Sequence, residues 1–171
     1  MPVREAKAIA LQQRTASHAF GHWIEHVDWD LRLVITFSPS KLGHTSHDLA
    51  LRRVRDGMNW LGGYLRGPVA WLAFTEPTMT GHVHVHALLV LRGRWRPSSA
   101  LLRKWNAWWR RRNGYVRMQK YTKGLAGAIY DAKYSGSSET EWDCSNAFTD
   151  LMRSQTPKPG LPAENRCRVV R

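Results

Sequence analysis

Residues 81–90 read GHVHVHALLV, with histidines at every second position and then an apolar run. A β-strand turns alternate side chains to one face, so His82, His84 and His86 share a face if this stretch is a strand. Two imidazoles at i and i+2 can bind one metal ion, since neutral imidazole is the commonest protein ligand for transition metals. A hydrolytic or transfer site often adds a carboxylate. Glu76 closes the preceding apolar run and can reach the same face across the turn PTMTG. The same pattern also describes the polar face of a half-buried sheet. Two overlapping pairs, His82 with His84 and His84 with His86, satisfy His-x-His, and the apolar residues follow only the second pair.

These residues need elements to hold them. LRLVITFS (31–38) is β-branched and aromatic and stops at Pro39, as a buried strand does. Ser46 or Thr45 can cap a helix in which Leu51, Val54, Met58 and Leu61 recur at helical spacing, with Gly62-Gly63 as its end. Residues 68–76 and 82–91 read as two strands of a hairpin with a five-residue loop. Ser98 or Ser99 caps a further helix with Leu101, Trp105 and Trp108 inward. Arg110, Arg111 and Arg112 sit at its dipole-negative end and Gly114 terminates it. A strand YVRMQK (115–120) follows, then a helix over KGLAGAIYDAKYS (123–135). This order predicts an α+β fold, a central antiparallel β-sheet covered by helices. Residues 1–28 read as a helix or adaptable arm, 29–135 as the domain, and the Ser/Gly/Pro-rich 136–171 as a loosely attached or disordered tail.

Composition narrows the partners. The chain has 171 residues, 26 Lys+Arg against 13 Asp+Glu and a formal charge of +13, so a polyanion is expected, nucleic acid before anionic membrane. Arg103, Lys104, Arg110, Arg111 and Lys123 are candidate phosphate contacts. Trp23, Trp29 and Trp95 lie among polar residues and are candidates to stack on bases, whereas Trp105, Trp108 and Trp109 read as core. The two cysteines, Cys144 and Cys167, stand in no CxxC pair and make neither a disulfide scaffold nor a four-cysteine zinc site, so an intracellular setting is expected. No segment has the length of a membrane span, the N-terminus lacks a signal-like apolar stretch, and no G-x-x-x-x-G-K-S/T loop announces an ATP motor.

Three motifs in order, VITFS (34–38), HVHALLV (84–90) and YDAK (130–133), resemble those of the HUH endonucleases, above all the rolling-circle replication initiators, or Rep proteins, with one catalytic tyrosine. The resemblance covers roughly residues 31–134. It implies a ferredoxin-like or RRM-like palm and a divalent ion, Mn²⁺ or Mg²⁺, on Glu76, His84 and His86. It further implies that Tyr130 attacks a DNA phosphate to leave a 5′-phosphotyrosine and a free 3′-OH, with Lys133 neutralising phosphate charge or steering the phenol. His82 and Tyr134 are left as neighbouring groups or DNA contacts. The implied partner is single-stranded DNA at an origin or hairpin element, with a separate host helicase as a further candidate, in the cytoplasm if the replicon is a bacterial plasmid or phage. A phenol with pKa near ~10 is a weak nucleophile at neutral pH, which is why such chemistry calls for a Lewis acid.

Other readings compete. Single-domain tyrosine transposases of small insertion sequences also carry a His-x-His strand, but typically place a Gln ligand on the tyrosine helix. A non-catalytic single-strand-binding module would keep the charge and the aromatic residues and need no tyrosine or metal. A zinc-stabilised regulator lacks nearby cysteine ligands.

Overall fold

The computed structural model describes residues 19–78, 82–91, 98–124 and 140–155. Tyr130, Lys133, Tyr134 and Trp95, and the helix expected over 123–135 beyond Gly124, lie outside them. The elements are α1 (19–25), β1 (Leu31–Phe37), α2 (Pro39–Leu42), α3 (His47–Leu65), β2 (Val69–Pro77), β3 (Val83–Leu91), α4 (Ser99–Arg112), β4 (Gly114–Lys120), β5 (Trp142–Cys144) and α5 (Asn146–Gln155). The five strands form one antiparallel sheet in the order β4-β1-β3-β2-β5, with helices packed on it, as an α+β chain predicts.

Strict alternation along β1 puts Leu31, Leu33, Ile35 and Phe37 on one face. Val83, Val85, Ala87, Leu89 and Leu91 of β3 join them, and α3 and α4 cover that face with Leu51, Val54, Met58, Leu61, Trp105 and Trp109. β2, one strand in from the β5 edge, is buried on both faces from Val69 to Thr75, which is why its sequence is a continuous apolar run. On the opposite face a second, smaller core gathers Leu72, Phe74 and Leu88 under Ile24, Val27, Trp29, Tyr121 and Phe148.

Several expectations need correction. Gly62-Gly63 do not end α3, which runs on to Leu65 because Leu65 still packs on the core. Arg66 ends it instead in the left-handed region (φ 54°), and the Gly67 N–H returns to the Gly62 carbonyl at 3.1 Å. A Cβ on Gly62 would stand 3.1 Å from the Gly67 oxygen, so the glycine makes room for the chain's return. Ser46 and Ser98 do cap their helices, accepting from the Leu49 and Leu101 N–H. The buried stripe of α4 is Leu101, Trp105 and Trp109, and Trp108 lies at its margin. Trp109 fits because α3 offers Gly57 beneath it, where a Cβ would meet the indole at 2.6 Å. Asn113 closes α4, and Gly114 instead begins β4 with φ 144°, pressed so close to β1 that a Cβ would lie 2.4 Å from the Thr36 oxygen.

The stretch 140–155 is not a loose tail. β5 pairs with β2, and α5 buries Phe148 in the second core, stacked on Trp29 at 5.4 Å. Residues 19–28 are not an adaptable arm either, since Ile24 and Val27 are buried in the same core. Trp23 and Trp29 belong to this core rather than to a base-stacking surface. Trp29 Nε1–H donates to the Ile24 carbonyl, and Trp23 meets Phe148 edge-on. Cys144 is disulfide-bonded, a pairing that the cysteine count did not lead us to expect. No helix among the described residues is long and apolar enough to cross a membrane.

Candidate active site

Strand pairing lays the polar face of the sheet out in rows. The outermost runs Tyr115–Thr36–His84–Glu76 across β4, β1, β3 and β2. The next runs Arg117–Val34–His86–Phe74–Trp142, and the third Gln119–Arg32–Leu88–Leu72–Cys144. Directly paired residues share a face, so His84, His86 and Glu76 are brought to one side by register alone. Burial is graded along the rows. Leu72 and Leu88 lie under the second core, His86 is 6% exposed, and Thr36, His84 and Glu76 are half-buried.

Glu76 stands opposite His84, and its carboxylate reaches diagonally to His86, Oε2 to Nε2 at 2.7 Å. A carboxylate accepts, so Nε2 of His86 carries the proton in this contact. Burial pushes the pKa of His84 below its ordinary value. Glu76 opposes that shift, and His86 and His82 add to it. His84 is therefore held neutral, with a lone pair to offer.

His82 sits before β3, not in it. Its backbone closes the hairpin turn: the Thr78 N–H donates to the His82 carbonyl at 2.7 Å, and the His82 N–H donates to Thr78 Oγ1 at 3.1 Å. Its ring lies 6.4 Å from that of His44, a histidine that sequence reasoning did not single out. Only its place in the loop before α3 could have suggested it. His47 belongs to the other side of the sheet, bonded to Thr75 Oγ1.

Thr36 and Tyr115 were also missed. Tyr115 is 50% exposed, with the Arg110 guanidinium 5.1 Å above its ring. The signal was available in principle: alternation in β4, counted against β1, puts Tyr115, Arg117 and Gln119 on the histidine side. Arg103, Lys104, Arg110 and Arg111 are exposed as expected, but they stand on α4, on the opposite face of the sheet from His84. Arg110 alone among them contacts a residue of the histidine face. Lys123 is exposed and pairs with Asp28 at 3.0 Å.

Among the described residues, no three His, Cys, Asp or Glu side chains converge closely enough to hold a metal ion as they stand. The donor chemistry nevertheless suits one: a carboxylate and two imidazoles on one face, one of them kept unprotonated by burial. Neither a scan of protein-family models nor comparisons with curated proteins and solved structures returned a match.

Proposed function

We propose that this chain nicks and rejoins single-stranded DNA through a tyrosine–phosphate link, in the manner of the HUH replication initiators that its motifs resemble. The observation that carries the reading is Glu76, directly across from His84 and bonded to His86, so that the acidic residue and both histidines of the resemblance meet on one sheet face.

Glu76, His84 and His86 would hold a divalent ion, which when bound supplies a Lewis acid to a phosphate oxygen. The protein's own part is to keep His84 neutral by burial and to hold the three donors on a rigid strand pair. Thr36 extends the donors' row towards Tyr115, whose half-exposed ring is open to a base at the edge of the sheet. Tyr130 is the nucleophile assigned by the resemblance. Its hydroxyl oxygen bonds to phosphorus and gives up its proton. The P–O bond to the 3′ oxygen breaks, and that oxygen leaves as a 3′-OH. The reverse attack by a 3′-OH rejoins the strand. The link conserves the phosphodiester bond energy, so no ATP is required.

The test is incubation with a pool of single-stranded DNA and Mn²⁺, followed by a denaturing gel. A covalent adduct is expected, absent in EDTA and absent for Tyr130→Phe. Cleavage undiminished by EDTA sinks the metal role. Binding without an adduct favours the non-catalytic module, and cleavage at the ends of a mobile element favours the transposase.

A further inference from the structure

We infer that His44 and His82 form a second cation site, one for a transition-metal ion of the zinc class, separate from the ion assigned to Glu76, His84 and His86. The inference stands on these two rings and does not depend on the cleavage reading.

The two residues approach one another from different connections. His44 lies between two fixed points: the Gly43 N–H closes α2 on the Pro39 carbonyl, and Ser46 caps α3. His82 is pinned by its backbone, which makes two hydrogen bonds with Thr78. The main chain thus sets where each ring starts, and none of these bonds uses an imidazole nitrogen. Elsewhere the rings are occupied: those of His26, His47 and His86 each make a hydrogen bond. Those of His44 and His82 make none among the described residues and stand beside each other, with centroids 6.4 Å apart and planes tilted by 35°. Two imidazoles held together with their nitrogens unused are donors without an acceptor.

The spacing fits one ion. A zinc–imidazole bond is about 2.0–2.1 Å, so two rings on a tetrahedral ion have centroids about 5 Å apart, and this pair has about 1.4 Å to close. His44 is exposed, so rotation of its side chain can supply that movement. Donor chemistry selects the ion. Two neutral imidazoles with no carboxylate favour Zn²⁺, Cu²⁺ or Ni²⁺, whereas Mg²⁺ and Ca²⁺ ask for oxygen. The neighbouring set differs by Glu76, whose carboxylate stands opposite His84 and bonds His86. No third His, Cys, Asp or Glu converges on the pair among the described residues, so water or an anion would complete the coordination. An ion held this way ties the loop before α3 to the turn before β3.

The test uses the full chain, labelled with ¹⁵N, with its histidine ring nitrogens followed by NMR as Zn²⁺ or Mg²⁺ is added. His44 and His82 should shift together with one Zn²⁺ midpoint, and Mg²⁺ at the same concentrations should move neither. His44→Gln, a change at an exposed position, should raise the Zn²⁺ midpoint at His82 by about tenfold or more, because a single imidazole has lost its chelating partner. Zn²⁺ should also raise the melting temperature of the wild-type chain more than that of the variant. Separate midpoints at the two rings, no shift at His44, an equal response to Mg²⁺, or an unchanged His82 midpoint in His44→Gln each overturns the proposal. His84 and His86 report on the other ion in the same spectra, so silence there beside movement at His44 and His82 counts against the cleavage site alone.

Discussion

On one face of the sheet, alternate residues of β1 and β3 meet Met58, Trp105 and Trp109. On the other face the same strands, one residue out of phase, carry Thr36, His84 and His86. The helix-covered face is closed by volume: Gly57 exists to admit an indole, and Gly114 to admit a neighbouring strand. Among the described residues the histidine face is covered at one end, by Trp29 and Phe148, and Thr36, His84 and Glu76 of its outermost row are half-buried. Half-burial lets polar groups keep part of their hydration while remaining within reach of a partner. The one face should therefore respond to mutation in stability, the other in chemistry.

The sharpest way to break that contrast is the histidine pair. His84→Ala and His86→Ala should each abolish adduct formation, a loss of at least ~10³-fold, while single-strand binding survives, because affinity comes from basic residues elsewhere. His82→Ala should keep most of its activity, since His82 serves the turn through its backbone. A dead His82→Ala beside an active His86→Ala would move the ligand pair by two residues and cost Glu76 its place.

The matching change on the helix face is Trp109→Ala. The indole is fully buried between Phe37, Trp105 and Gly57, so its loss should cost about 3–5 kcal/mol of stability, read from urea or thermal unfolding. Gly57→Ala should destabilise as well, by about 1–3 kcal/mol, because its methyl group has no room beside the ring. Wild-type stability in either variant would show that the helix layer is looser than the contacts imply.

The smallest effect lies in pH. Folding lowers the pKa of His84, so the unfolded chain binds its proton first as pH falls through the ordinary imidazole range near 6.5. The stability contributed by neutral His84 is complete above that range and is lost as pH falls towards the folded-state pKa. An NMR titration of its ring should show a midpoint below that of the urea-unfolded chain, and His84→Asn should flatten the acid limb of the stability curve. A midpoint at or above the ordinary value would mean that Glu76 outweighs burial.

Much of this was legible in the sequence because apolar runs and serine caps are strong local signals. β1, β2, β3 and both capped helices fall within a few residues of where their patterns put them, and Glu76 meets the histidines as their spacing suggested. What was not legible depends on tertiary partners. A polar stretch such as SETEWDCSN gives no hint that Trp142 will pair with Phe74, or that Phe148 will fill the second core. Trp108 and Trp109 are equally apolar, and only the gap at Gly57 decides which is buried. The basic helix was visible as charge, but no periodicity could say that it lies behind the sheet.

The Glu76–His86 contact has a consequence for the order of events in the life of the molecule. A carboxylate placed among imidazoles is satisfied by a proton-bearing ring before any cation arrives. Assembly of the sheet would then not wait on the proposed ion, unlike in small metal-nucleated domains that collapse when stripped. Under the proposed reading the ion would arm the protein without refolding it: a cooperative thermal melt should persist in chelator, and added Mn²⁺ should shift it only upwards.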